Sequence, residues 1–241
     1  MLEVHLVDVR FGGLMALREV ELVAAAGQVT GLIGPNGAGK TTLFNVITGL
    51  QAPTHGRVTI DGVDVTNMKP HRRSRQRVGR TFQRLEVFGA LTARENILVA
   101  AEIRNSWDST SEDPRAVAQE ILERVGLAEV ADRPVDAMPT GMARLVELGR
   151  ALAIRPKLLL LDEPGSGLNP DETDALGELL LELAADGMAI LLVEHDVELV
   201  MRICEELYVL DFGELIAHGT PAQIQADGAV QHAYLGVEVS A

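Results

Sequence analysis

The chain has 241 residues, 47% of them hydrophobic and 23% charged, which excludes a disordered chain and allows a substantial core in a single domain. Lys and Arg number 21 against 35 Asp and Glu, a formal charge of −14, which argues against non-specific nucleic-acid binding because that needs a positive surface. One cysteine, Cys204, excludes an internal disulfide and reads as a small buried hydrophobe.

Met1-Leu2-Glu3-Val4-His5 carries an early acid and no basic-then-apolar signal pattern. No apolar run approaches the ~20 residues of a membrane-spanning helix, so a membrane role must come through a partner. Residues 2 to 9 alternate apolar and polar as a half-buried strand does, and Glu19 to Ala24 fits a second strand. Val29 to Ile33 is an apolar run of strand length feeding Gly34; Lys40 to Thr48 is helical, with Gly49 placed to cap it. Gly56 to Val65 reads as strand, turn, strand around Asp61-Gly62. A basic cluster comes next: Lys69, His71, Arg72, Arg73, Arg75, Arg77 and Arg80. It is expected as a solvated helix face, with binding of anionic lipid heads or a partner as the lesser alternative.

From Thr92 the pattern turns helical. Thr92-Ala93-Arg94-Glu95 is a capping box, and Asp113-Pro114 opens a helix that Gly126 closes. The polar loop Asn105 to Glu112 between them holds the only tryptophan, Trp107. Met142 to Ile154 is a further amphipathic helix, stopped before Pro156. Strands return at Lys157 to Leu161 and Met188 to Val193 around the helix Glu172 to Ala185, an alternation that predicts a parallel sheet with crossover helices. Glu206 to His218 reads as a hairpin around Phe212-Gly213, and Thr220-Pro221 and Asp227 start short terminal helices.

Gly34-Pro35-Asn36-Gly37-Ala38-Gly39-Lys40-Thr41, followed by Thr42, matches G-x-x-x-x-G-K-[ST] without a mismatch. The glycines let backbone N–H groups converge on phosphate oxygens, and the following helix adds its positive end. Lys40 supplies a charge for the β and γ phosphates, and the Thr41 hydroxyl can ligate Mg²⁺. A chance glycine turn is the alternative; the preceding strand and following helix speak against it. Leu158 to Leu161 then delivers Asp162 and Glu163 to a strand end, where ligands of open α/β sheets bind. Asp162 can hold Mg²⁺ through water, and Glu163 can polarise the attacking water. His195, in Val193-Glu194-His195-Asp196, stands at a third strand end, within reach of a γ-phosphate. Alone, a histidine after a strand is more often structural.

The P-loop, then Thr81-Phe82-Gln83, then Leu161-Asp162-Glu163-Pro164, then Glu194-His195-Asp196 resemble, in that order, the ATP-binding-cassette (ABC) ATPases over essentially the whole chain. The resemblance implies an α/β fold: a RecA-like P-loop NTPase core with an antiparallel β subdomain (1–89 and 156–241) and an inserted helical subdomain (90–155). It implies that Gln83 senses Mg²⁺ and the γ-phosphate and couples the site to a transmembrane partner. It also implies that Phe11 stacks on adenine; from the residues alone Phe11 is a strand-end core residue. The ATPase subunits of branched-chain amino acid importers are a closer likeness, through Arg10-Phe11-Gly12-Gly13, Thr81-Phe82-Gln83, the loop around Trp107, Gly167-Leu168-Asn169-Pro170 and Ala233-Tyr234-Leu235-Gly236. The implied partners are transmembrane permease subunits, a second ATPase subunit, identical or not, and a substrate-binding protein. The implied place is the cytoplasmic face of the cell membrane, and no nucleic-acid partner is expected.

The signature of that family, Leu-Ser-Gly-Gly-Gln in type, meets Met138-Pro139-Thr140-Gly141-Met142 here, and Gly141 alone matches outright. Pro139 offers neither hydroxyl nor N–H, and Met142 replaces a polar residue. Thr140 and the helix N-terminus remain as donors to a phosphate held by the opposite subunit. Two rivals remain: an ATP-gated regulatory clamp with weak hydrolysis, and a soluble ABC ATPase acting on nucleic acid or ribosomes. The single cassette and the acidic balance disfavour the second.

Overall fold

The computed structural model describes residues 1–108 and 112–233. It opens with β1 (Leu2–Phe11) and β2 (Leu14–Ala24), paired antiparallel from Leu2 opposite Ala24 to Phe11 opposite Leu14. β2 begins five residues before its expected start at Glu19. The pairing is bulged, with Leu6 and Glu19 both at φ +45°, so regular alternation fails in the middle of each strand. β3 (Val29–Ile33) is buried throughout and runs into α1 (Lys40–Thr48), which Gly49 ends at φ +79°. β4 (His55–Ile60) and β5 (Val63–Asp64) complete a four-stranded antiparallel sheet in the order β2-β1-β4-β5. Asp61 and Gly62 join them, both at positive φ as a type I′ turn requires.

The basic cluster is only in part the solvated helix face expected of it. α2 (Pro70–Arg75) is short, and β6 (Val78–Arg80) is a strand of the second sheet. Lys69, His71, Arg72 and Arg75 are exposed. Arg77 is half-buried and pairs with Asp108 at 2.8 Å. Arg73 is buried, donating to the carbonyls of Val46 (2.6 Å), Ile47 (2.7 Å), Thr66 (2.8 Å) and Met68 (2.9 Å). Two of those carbonyls belong to the last turn of α1, where Val46 accepts also from Gly49 N–H at 3.1 Å. The Arg80 side chain is 6% exposed and lies against the carboxylate of Asp162.

α3 (Ala93–Asn105), α4 (Pro114–Arg124) and α5 (Thr140–Ala153) lie between β6 and the next strand, with short 3₁₀ turns at Ala128–Val130 and Val135–Ala137. The Thr92–Glu95 capping box is formed, and Asp113 caps α4 with Pro114 in its first turn. α5 starts at Thr140, two residues before the apolar pattern indicates, with Pro139 at the N-cap. Ile97, Ile121, Leu122 and Val146 pack these helices together.

The chain then alternates: β7 (Leu158–Asp162), α6 (Pro170–Ala185), β8 (Ala189–Val193), α7 (Val197–Ile203), β9 (Glu206–Asp211), β10 (Glu214–Gly219), α8 (Pro221–Ala226) and α9 (Gly228–Ala233). The second sheet has the order β10-β9-β3-β8-β7-β6. β6, β7, β8, β3 and β9 are parallel to their neighbours, and β10 returns antiparallel as the expected hairpin around Phe212-Gly213. The carboxyl ends of β6, β7, β8 and β3 therefore share one edge. Among the described residues no helix is long and apolar enough to cross a membrane. Tyr234, Leu235 and Gly236 of the expected terminal motif lie outside the described residues.

Candidate active site

Three of those strand ends line a single cavity of about 300 Å³, with Asn36 to Thr42 after β3, Gln83 after β6, and Asp162 and Glu163 at the end of β7; the fourth, β8, leads to His195, which reaches Glu163. β3 ends in Gly34 at φ +150°. A β-carbon there would stand 1.9 Å from the Leu210 carbonyl oxygen, so only glycine lets the loop lie against β9. Gly37 (φ +83°) and Gly39 (φ +110°) curl the loop into α1. One backbone bond fixes the loop from outside, Gly213 N–H donating to the Ala38 carbonyl at 2.9 Å, and Gly213 is itself held by Arg18 N–H at 2.8 Å.

Lys40 is 8% exposed and donates to the carbonyls of Gly34 (2.6 Å) and Pro35 (3.0 Å). Burial lowers its pKa, and the carboxylates of Glu163 and Asp162 oppose that shift. Thr41 lines the same cavity.

β7 brings Asp162 and Glu163. Asp162 is 2% exposed; its N–H donates to the Thr81 hydroxyl at 3.1 Å, and its Oδ2 is buried without a hydrogen-bond partner. The nearest cation is the Arg80 guanidinium, 3.8 Å from that oxygen. Burial raises the Asp162 pKa, and Arg80 is the first of the groups opposing it. Glu163 stands at φ +53°, with its N–H donating to the Val193 carbonyl at 2.8 Å. Gln83 Nε2 donates to Glu163 Oε1 at 3.1 Å, and His195 Nε2 lies 3.0 Å from the same oxygen, a contact that needs its proton on Nε2. Three strand ends thus meet on one carboxylate.

An unpartnered buried carboxylate oxygen, a threonine hydroxyl and a glutamine are hard oxygen donors gathered at the cavity that the glycine-rich loop lines. That set fits Mg²⁺, which takes one or two carboxylates and completes its shell with water and phosphate. Among the described residues no group of three or more His, Cys, Asp or Glu converges as a metal cage.

The structure does not bring the remaining expected residues to this cavity. Phe11 ends β1 half-exposed, opposite Leu14. Pro139 and Thr140 are exposed at the N-terminus of α5. Gly141 is buried, packed so closely that a β-carbon there would meet the Gly167 carbonyl oxygen and Leu168 Cδ2, each at 2.7 Å. Met142 packs half-buried on the helical core.

Sequence reasoning missed the residues that support the cavity from behind. Glu194 is buried and accepts from the N–H groups of Gly165 (2.6 Å) and His195 (3.0 Å), holding the segments after β7 and β8 together; burial raises its pKa. On α5, Arg144 donates to the carbonyls of Phe82 (2.6 Å) and Gln83. Glu147 accepts from the N–H groups of Phe82 (3.1 Å) and Glu86 (3.3 Å), and the two side chains pair at 3.2 Å. Their only sequence signal was an Arg and a Glu three apart on an apolar helix face.

Comparison with known proteins agrees with this geometry. The family model described as ABC transporter matches residues 17–166, and one described as branched-chain amino acid ATP-binding cassette transporter matches residues 214–240. The chain is 39% identical, over 98% of both sequences, to the high-affinity branched-chain amino acid transport ATP-binding proteins BraF of Pseudomonas aeruginosa and LivG of Escherichia coli. It is 36% identical, over 90% of both, to the lipopolysaccharide export system ATP-binding protein LptB of Haemophilus influenzae. A solved nucleotide-free ATP-binding cassette from an ABC transporter superposes with a TM-score of 0.88 at 32% identity, over 98% of this chain and 99% of that one. A dimeric cassette bound to ADP and Pi in a post-hydrolysis state superposes with a TM-score of 0.82 at 26% identity, over 92% and 99%. These relatives are transport ATP-binding proteins, and nothing in them favours a regulatory clamp. Family model, relatives and fold agree that the chain belongs to the ABC transporter ATPases and hydrolyses ATP.

Proposed function

We propose that this chain energises a membrane importer of branched-chain amino acids from the cytoplasmic face of the membrane, beneath transmembrane permease subunits. It works as one of two ATPase subunits in a system that includes a substrate-binding protein. The likeness to BraF and LivG over 98% of the chain supports the substrate class. In this reading, residues 1–89 and 156–241 form the nucleotide-binding core with its β subdomain, and 90–155 the helical subdomain.

The observation that carries the mechanism is the Glu163 carboxylate, facing the loop cavity and held by Gln83 and His195. The amides of Gly34 to Thr42 cradle the triphosphate, and Lys40 turns from its two loop carbonyls to the β and γ phosphates. Phe11 stacks on the adenine. Thr41, Asp162 and Gln83 would hold Mg²⁺, which when bound neutralises charge on the phosphates. Glu163 orients the attacking water and takes its proton; His195 steadies the transferred phosphoryl group. Pro139, Thr140, Gly141 and Met142 present the N-terminus of α5 to the nucleotide of the opposite subunit. A groove of about 310 Å³ between α2 and α5, with Phe82 and Glu86 in its wall, adjoins Gln83 and supports coupling to a permease.

The test is uptake of labelled leucine, isoleucine and valine by the reconstituted complex with ATP on the side of this subunit. ATP-dependent accumulation, abolished by Lys40→Ala, is expected. ATP hydrolysis without uptake of any of the three, while another solute accumulates, would overturn the substrate assignment.

A further inference from the structure

We propose that Arg80 is a positioning residue of the hydrolytic site, one that aims Asp162 at the phosphate cavity and fixes it to α1 and the Phe82-Gln83 turn. The inference rests on reading Asp162 as the metal carboxylate.

Arg80 is the last residue of β6, in register with Leu160 on β7, two residues before Asp162. Its side chain is 6% exposed and pinned from several directions. NH1 donates to Asn45 Oδ1 at 2.7 Å and Thr48 Oγ1 at 3.2 Å, both on α1; Nε donates to the Thr81 carbonyl at 3.3 Å. The guanidinium lies over two rings, 4.7 Å from the centroid of Phe82 and 5.5 Å from that of Phe44. With NH1 and Nε hydrogen-bonded and two rings against the guanidinium, NH2 is left 3.8 Å from Asp162 Oδ2.

That spacing separates positioning from a plain structural ion pair. A forked Arg–carboxylate pair would occupy both carboxylate oxygens with hydrogen bonds. Here Oδ2 has none. Arg80 supplies charge to Asp162 without consuming its lone pairs, so the carboxylate is oriented and still free to receive a cation or its water. Groups behind a metal ligand act in this way, fixing the direction of the ligand. Phe82 directly precedes Gln83, and Asn45 and Thr48 sit on the helix that starts at Lys40. One guanidinium therefore joins three parts of the site: the α1 helix, the metal carboxylate and the Gln83 turn. Lysine cannot reproduce this, since it has neither the planar fork nor the stacking surface.

The experiment titrates the full chain with a fluorescent ATP analogue, in EDTA and across a Mg²⁺ series, comparing wild type with Arg80→Lys, Arg80→Met and Asp162→Asn. Expected is wild-type affinity in EDTA for both Arg80 variants, with the half-saturating Mg²⁺ concentration raised roughly 10- to 100-fold in each, the lysine variant nearer the lower end. Asp162→Asn loses the Mg²⁺ response. If Asp162→Asn loses it while both Arg80 variants respond as wild type, the Arg80 proposal falls and the metal reading stands. If Asp162→Asn keeps it, the metal reading falls and the proposal with it. Equal loss of affinity in EDTA and in Mg²⁺ would make Arg80 a residue of the fold alone and overturn the proposal. Should thermal melting show that Arg80→Met does not fold, Arg80→Lys, which keeps the charge and most of the length, decides.

Discussion

Glu163 adopts φ +53°, a backbone region that non-glycine residues rarely enter. Such conformations persist where surrounding bonds over-determine them, and they concentrate at functional sites. Here the bonds come from Val193 behind and from Gln83 and His195 in front. Not all reactive-looking groups belong to the site. Cys204 is buried, and burial pushes its thiol up to about 12 from 9.0. Between those values the unfolded chain loses a proton that the folded chain keeps, so stability falls as pH rises through that window. Denaturation from pH 9 upward should show this decline in wild type and less of it in Cys204→Ala; identical slopes would contradict it. At this scale the sequence was most readable where backbone geometry dictates residue type. Gly34, Gly37 and Gly39 are demanded by the loop, whereas Asp162 and Glu163 were legible from their place after an apolar strand. Arg73 and Arg80 were misread, because what holds them is a helix end and a carboxylate far along the chain.

Among the elements, α5 carries the signature segment at one end and grips the Gln83 turn in its first two turns. Arg144 and Glu147 are both nearly buried and bond four backbone groups of Phe82, Gln83 and Glu86. Removing one partner leaves the other buried and uncompensated. Glu147→Ala should therefore cost roughly 3–5 kcal/mol in chemical denaturation and speed amide exchange over residues 82–86. A loss below about 1 kcal/mol would mean that the pair carries no weight. At the open end of the helix, Pro139→Ser restores a hydroxyl and an N–H. The regained bond to phosphate, ~1.5–3 kcal/mol, corresponds to a roughly 10- to 100-fold gain in the turnover of sites completed by this segment. Unchanged turnover in the reconstituted complex would contradict it. Helix starts were legible through Thr92 and Asp113, whose side chains cap α3 and α4. The start of α5 and of β2 was not, because a proline N-cap carries no side-chain bond and a bulge breaks the alternation that reveals a strand.

For the whole molecule, parallel order in one sheet does the assembling. β6, β7, β8 and β3 are far apart in sequence, yet their carboxyl ends converge because every crossover returns the chain to the same edge. The alternation of strand and helix made that sheet foreseeable; the neighbours of β6, a strand of three residues inside a basic segment, were beyond its reach. In the proposed mechanism the loop grips triphosphate and one carboxylate activates water, so binding and hydrolysis are separable. The most direct measurement is paired ATP binding and phosphate release by Glu163→Gln in the full chain. ATP should bind as tightly as to wild type, with hydrolysis slowed by ~10²–10⁴. Wild-type phosphate release from that variant would contradict it.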